Sequence, residues 1–490
     1  MFARWSSPTT LPRATLASVG ADAALAVAML VATPYLVHSL GAAPYGVLAI
    51  VSVAVSQLGV LQFGVGPAVA RRVAECRGAG DVEGLIATIR AAQWLAVGSA
   101  VLTAGTLAAL LPWAWTDLLH ASPDVRLEGL GAVVAATVVA AAQPLLGTLQ
   151  AVLMGAERFV ALAQLRLAHG LVRIGAAVAV VALGGDVSSV LWAHAACDVV
   201  AAATTGWLTR PDALPSSPFV GAVRRLLTLG IPFAVAGLFA GLLMDAEKLA
   251  VSLAQSVDDL SYYAVPFNVA MRLAVGAVAL SNALVPRIAH AGALGELSGA
   301  AAVTRRATRV VVGGMTGVLA LPIALAPELL ALWIDADFAT RAARPARMVL
   351  VALLVNMAAY APSAALRARA RPWLVVALYA LELPLHLTAV YLLVSAWGLT
   401  GAAAAWGLRV VVDSAAQHYL ASRTLRGATG GGLETWAPTL LLAGLAALSE
   451  APILFGVWFR LFTAVGVGVS VAAWLLEAED WFALKRGLLL

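Results

Sequence analysis

Residues 23–70 form a run without a single Asp, Glu, Lys or Arg. No soluble fold needs such a run. A hydrocarbon core about 30 Å thick takes roughly 20 apolar residues per helix, so the run is too long for one crossing. It is interrupted by His38-Ser39-Leu40-Gly41-Ala42-Ala43-Pro44-Tyr45-Gly46, which reads as a tight turn joining two spans. Further uncharged runs, each long enough for a crossing, lie between Arg90 and Asp117 and between Glu128 and Glu157. Backbone groups in lipid must be satisfied within the chain, which leaves helices or a closed barrel. Ala- and Leu-rich runs of this length without period-two alternation select helices. The composition agrees: 12% of 490 residues are charged, against about 25% in soluble domains, and mean hydropathy is +0.91. The fold class is all-α, a polytopic membrane protein.

Spans are expected near 17–39, 46–68, 91–113, 129–153, 168–184, 187–208, 229–254, 262–285, 310–331, 348–366, 373–395, 400–421, 436–457 and 461–477. That gives about 14 transmembrane helices, or 12 if the last two, broken by Glu450 and Arg460, do not cross. With this placement 22 of the 31 Lys and Arg fall on one face, five on the other and four within spans. Positive residues stay on the cytoplasmic side, so both termini are expected in the cytoplasm and the protein in the cytoplasmic membrane. The net charge of +5 is then topogenic, and nucleic acid is not an expected partner. Arg4 and Arg13 precede a full-length first span with no convincing small-residue cleavage site, which reads as a retained helix. Cys76 and Cys197 are too few for a disulfide framework.

Pro211, Pro215, Ser216, Ser217 and Pro218 mark the clearest linker, dividing six spans from six. The expected organisation is an N-terminal lobe over 1–214, a C-terminal lobe over 215–425, and over 426–490 two extra helices with a cytoplasmic tail. The halves echo each other. Arg72, Gly80-Asp81 and Arg90 recur at the same spacing, each shifted by the same amount, as Arg287, Gly295-Glu296 and Arg305. An even number of spans per half makes such repeats parallel.

Three stretches carry a resemblance. They are Leu40–Gly46 with Phe63-Gly64-Val65-Gly66-Pro67-Ala68-Val69-Ala70-Arg71-Arg72; Leu229-Gly230-Ile231-Pro232 leading into Met244-Asp245-Ala246-Glu247-Lys248-Leu249; and Ser261-Tyr262-Tyr263-Ala264-Val265-Pro266, ending at Leu284-Val285-Pro286-Arg287. Together they resemble the polysaccharide-exporter branch of the multidrug/oligosaccharidyl-lipid/polysaccharide (MOP) flippase superfamily, the O-antigen and exopolysaccharide flippases. The resemblance implies two six-helix lobes around a central cavity lined by the first, second, seventh and eighth helices. It also implies alternating access and a polyprenyl-diphosphate-linked glycan as cargo. Gln62 stands where members of that branch often carry an acid, so no ion-coupling role carries over to that position.

Ionisable residues within spans oppose insertion by about 2.5–3.5 kcal/mol each at a helix centre, so they face other helices or water. The densest group is Asp245, Glu247 and Lys248. Asp245 and Lys248, three apart, share a helix face. With Arg272 on the next span they are substrate-binding candidates: Lys248 and Arg272 would hold a diphosphate by charge-assisted hydrogen bonds. The alternative is an internally paired cluster joining two helices. Arg71 and Arg72, at the cytoplasmic mouth, are candidates for capturing an anionic head group, or are simply topogenic. Glu382 and His386, four apart, and Asp413 are weak ion-coupling candidates, since histidine titrates near neutrality. A buried Glu382–His386 hydrogen bond and an Arg409–Asp413 pair are the structural readings, and Asp22 is expected to start a helix.

No catalytic constellation, Walker A sequence or His/Cys cluster with metal-ligand spacing occurs, so no cofactor, no metal and no enzyme activity are expected. The expected partners are the lipid-linked glycan and membrane lipids, with the protein acting as a monomer beside polysaccharide-assembly proteins. Two alternatives remain. Small organic-cation efflux, as in the multidrug branch, is disfavoured by cationic cavity candidates. A membrane-embedded glycan polymerase or ligase is disfavoured by short outer loops.

Overall fold

In a computed structural model of the chain, the residues described are 11–57, 65–113, 123–210, 219–255, 257–274, 277, 288, 297–368, 372–427, 429, 432–450 and 456–475. Every regular element among them is a helix. They form two compact units. Unit 1 runs to Asp245 and includes Ser256–Ser261; unit 2 comprises Ala246–Gln255 and the chain from Tyr262. Gln62, Arg287 and the Pro211–Pro218 segment lie outside the described residues.

Unit 1 contains α1 (Leu11–Leu40), α2 (Ala42–Gln57), α3 (Val65–Gly78), α4 (Val82–Trp113), α5 (Pro123–Gly155), α6 (Phe159–Ala182), α7 (Val187–Thr209) and most of α8 (Phe219–Ala254). The turn expected after Leu40 is a single residue. Gly41 has φ +91° and its N–H closes on the Val37 carbonyl at 2.9 Å, a left-handed helix end that glycine adopts without a Cβ penalty. α5 packs against α3, α4 and α7. Its interior positions are small, with Ala132, Ala135, Ala136 and Ala151 all buried, which lets helices approach where lipid supplies no hydrophobic drive. Asp22 is not at a helix start. It lies two turns or more inside α1 and meets Arg166 of α6 at 3.2 Å, because the helix begins earlier than hydropathy suggests.

α7 does start on a carboxylate. Asp186 accepts from the backbone N–H of Ser189 at 2.9 Å and from its hydroxyl at 2.5 Å. Those bonds hold the Asp186 carboxyl below the usual range. A depressed folded-state value adds stability above the unfolded pKa, and that stability is lost as pH falls through the folded value. Asp186→Ala is therefore expected to lower stability by about 1 kcal/mol at neutral pH, the usual worth of an N-cap. The difference should shrink below about pH 4, read as paired thermal melts in detergent across pH. A pH-independent difference would discount the cap.

Unit 2 contains the end of α8, most of α9 (Val257–Leu273), α10 (Leu297–Ala324), α11 (Ala326–Trp333), α12 (Ala336–Ala358), α13 (Tyr360–Ala368), α14 (Pro372–Leu425), α15 (Leu433–Ser449) and α16 (Val457–Leu475). α12 packs against α10, α11, α14 and α15. α15 and α16 both lie on α10.

α14 is two arms. Gly398 has φ +54° and ψ −127°, a combination essentially confined to glycine, and the chain doubles back there. A Cβ on Gly401 would overlap the Leu393 carbonyl oxygen, an approach that a continuous helix, rising steadily along its axis, could not make. The two arms match the spans expected at 373–395 and 400–421.

Among the described residues, eight helical segments are long and apolar enough to cross a membrane, α14 counted as one, and two shorter apolar helices lie in α15 and α16. The polarity is inverted relative to a soluble protein. On the first arm of α14, Leu381, Leu385 and Leu392 are exposed while Glu382 and His386 are buried. One residue of helix rotation, about 100°, separates an apolar outer stripe from a polar inner one. Exposed leucine and valine on this scale would drive a soluble protein to aggregate; against hydrocarbon it is satisfied.

Candidate functional site

Each unit buries a polar cluster of its own. In unit 1 the centre is Asp198 on α7, with no solvent exposure. His169 Nε2 of α6 lies 2.7 Å from its Oδ1, with Arg173 Nε 3.7 Å from the same oxygen. Gln143 of α5 donates to Oδ2 at 3.3 Å. His194, one turn before Asp198, lies in the field of Arg173 and Asp198. Three helices thus converge on one carboxylate. A buried charge is tolerable only when paired and hydrogen-bonded, and this one is.

In unit 2 the cluster joins α8 to both arms of α14. Glu247 is fully buried, and His386 Nε2 of the first arm lies 3.0 Å from its Oε1. The two are within ion-pair reach without the alignment of a straight hydrogen bond. Glu382, one turn before His386, faces Asp413 on the second arm. Asp413 also accepts from Gln417 at 2.7 Å. Arg409 lies in the field of both carboxyls but forms no ion pair with either among the described residues, and its Nε is buried without a hydrogen-bond partner.

Lys248 is 9% exposed, with Nζ 4.7 Å from the centre of the Phe267 ring. Phe267 meets the wholly buried Trp406 edge-on at 5.2 Å. The ammonium sits on a ring face, an arrangement that holds a desolvated cation.

The residues singled out in the sequence differ in their surroundings. Asp245, Glu247 and Lys248 are all buried. Arg272 is exposed in the last turn of α9, roughly 7 Å along the helix from Phe267. Arg71 and Arg72 both reach Glu75, at 2.9 and 3.2 Å, and Arg72 also lies 3.8 Å from Asp81. These contacts hold the Glu75 carboxyl below its usual range. The two arginines are therefore partly neutralised locally. Two same-helix pairings are not formed: Arg409 does not pair with Asp413, and His386 turns to Glu247 rather than to Glu382. For His386, tertiary packing brings a partner from another helix, Glu247 of α8, to the same depth.

Sequence reasoning missed His169, His194 and Gln143 and gave Asp198 no partner. A signal existed. Asp413 follows Asp198, and Arg409 follows His194, by the same shift that carries Arg72 to Arg287. Each half thus repeats a base followed four residues later by a buried acid. The turns between the paired helices repeat too, with positive φ at Gly184 and at Gly398.

Comparison with known proteins gives the fold its place. No family profile matches the chain. Over 205 residues, 41% of this chain and 47% of the relative, the sequence is 22% identical to a Shigella flexneri protein named "Putative O-antigen transporter"; the match thus spans about half of that protein. Two solved structures are similar: the inward-facing and outward-facing conformations of a multidrug resistance MATE family transporter of the MOP superfamily. Their TM-scores are 0.65 and 0.61, at 16% and 15% identity, each match covering 84% of this chain and 94% and 96% of theirs. Helical in every regular element among its described residues, the chain has the fold of these MOP-superfamily transporters.

Proposed function

We propose that the protein is a flippase that moves a polyprenyl-diphosphate-linked oligosaccharide across the cytoplasmic membrane by alternating access, for cell-surface polysaccharide assembly. The observation that carries this reading is the sequence likeness to the Shigella protein named for O-antigen transport. The buried Lys248 supports it, because a cation on an aromatic face suits an anionic head group better than an organic cation. The physical need is plain. Burying each unpaired hydroxyl costs on the order of 1–3 kcal/mol, so a multi-sugar head group requires a polar path. The arginine distribution supports an orientation with both termini in the cytoplasm. In this reading Lys248 is the principal diphosphate contact and Arg272 a secondary one, Asp245 is a further substrate-binding residue of the cavity, and Arg71 and Arg72 draw the anionic head group to the cytoplasmic mouth. The facing carboxyls Glu382 and Asp413, with His386, form the ion-coupling element, since two acids beside one guanidinium gain from taking up a proton or a cation. The protein acts as a monomer, alongside polysaccharide-assembly proteins.

The test is leaflet translocation of a fluorescent polyprenyl-diphosphate oligosaccharide in liposomes containing the purified protein. Translocation that depends on the protein is the expected result. Its absence, with folded protein and accessible cargo, together with gradient-driven uptake of an organic cation, would replace this reading with drug efflux.

A further inference from the structure

Unit 2 holds a charged cavity apart from the groups described so far. Three arginines and two glutamates line about 560 Å³ among α11, the start of α12, the end of α15 and the start of α16. Their pairing is uneven. Arg460, 7% exposed, grips Glu328 through both terminal nitrogens, while its Nε is buried without a partner. Arg344 is largely exposed and reaches Glu450 at 3.4 Å. Arg347, 4% exposed, has no carboxylate within ion-pair reach among the described residues. Its Nε and Nη2 donate only to the main-chain carbonyls of Ile323 and Ser449, at 3.2 and 3.1 Å. Its direct partners are carbonyl dipoles, while Glu450 and Glu328, each already paired with another arginine, act on it only through space, so its charge is incompletely compensated. The cavity lining therefore carries one positive charge in excess, and Arg347 is its most buried charged residue.

The second observation is what adjoins it. A further cavity of about 420 Å³ shares Arg344, Arg347 and Glu450 and continues between α12, the second arm of α14 and α15. Its walls are apolar, with Met348, Val351, Val355 and Leu408 among them. From Met348 to Val355 is about 10 Å of helix. Cationic donors therefore stand at one end of an apolar trough.

We propose that this pair of cavities binds an anionic amphiphile, with its phosphate among Arg344, Arg347 and Arg460 and its hydrocarbon chain along the trough. The guanidinium fork matches phosphate oxygens in pairs, and the trough accommodates the first part of an alkyl or prenyl chain. The chemistry has two sources, an anionic phospholipid of the bilayer or a polyprenyl phosphate. The site draws on unit 2 alone and stands whether or not the protein moves a glycan. Occupancy would tie α15 and α16 to α12, since the arginines come from α12 and α16.

The experiment is native mass spectrometry of the purified full-length protein with phosphatidylglycerol, polyprenyl phosphate and phosphatidylcholine at equal mole fraction. Both anionic lipids are expected to be retained at least about fivefold over phosphatidylcholine, and the better retained of the two names the source. Arg347→Gln also removes two carbonyl contacts and risks the fold, so the exposed pair carries the test. Arg344→Gln should weaken retention about five- to tenfold, and Glu450→Gln, which releases Arg344, should strengthen it by a similar factor. Equal retention of phosphatidylcholine would overturn the proposal. So would displacement of the lipid by inorganic phosphate at equal concentration, or failure of the two substitutions to move retention in opposite directions.

Discussion

Asp198→Ala is expected to destabilise unit 1 by about 3–5 kcal/mol, the usual consequence of removing one partner from a buried ion pair. His169, Arg173 and Gln143 would be left converging on a methyl group, and the desolvation of the guanidinium would lose its compensation. Asp198→Asn should lose less, because its amide oxygen can still accept from His169 Nε2–H while its NH2 donates to a Gln143 amide turned oxygen-first. The measurement is thermal unfolding of both variants in the same detergent. A melting temperature for Asp198→Ala equal to that of the native protein would show that the cluster is not what holds α5, α6 and α7 together. Arg173→Leu combined with Asp198→Leu supplies a control. Replacing both charges by apolar groups should recover much of the loss, since a buried pair is worth little against a well-packed apolar substitute.

Lys248→Gln is expected to slow translocation of a diphosphate-linked cargo tenfold or more. A hydrogen bond from a charged donor contributes about 1.5–3 kcal/mol, and roughly each 1.36 kcal/mol in a barrier is a factor of ten. Arg272→Gln should have a smaller effect, because Arg272 is exposed at the end of α9 whereas Lys248 is buried against an aromatic ring. The two variants are compared in liposomes at matched reconstitution. Equal activity of correctly inserted Lys248→Gln and native protein would remove Lys248 from the substrate path. A larger effect at Arg272 would move the head-group contact to the end of α9.

Much of the architecture was legible in the chain because membrane helices obey few rules. The turn at Gly41 follows from a glycine between two apolar runs. The reversal in α14 lies between the spans placed at 373–395 and 400–421, although only the backbone angles show that Gly398 makes it alone. The partners of the buried charges were not legible. A spacing of four points to same-helix pairs, yet Glu247 of α8 meets His386, which the sequence places several helices further on. In an apolar surround a charge takes the partner that packing brings to its depth, and depth is not written in local spacing. Asp22 shows a related failure, because hydropathy marks where lipid begins and not where a helix does. The constant shift between the halves would have matched Asp198 with Asp413, had it been carried beyond the arginine-bearing loops into the spans.

The one-residue reversal at Gly398 also bears on how the chain is built into the membrane. The first arm carries Glu382 and His386 inward and the second carries Arg409 and Asp413. Entering alone, either arm would present ionisable groups to lipid at about 2.5–3.5 kcal/mol for a charged residue near a helix centre. Folded back on each other, the arms turn Glu382 toward Asp413 and leave leucines outward. With no loop between them to rest at the membrane surface, the unit of insertion is the whole hairpin, and biosynthesis must have delivered the second arm before the first is at home in the bilayer.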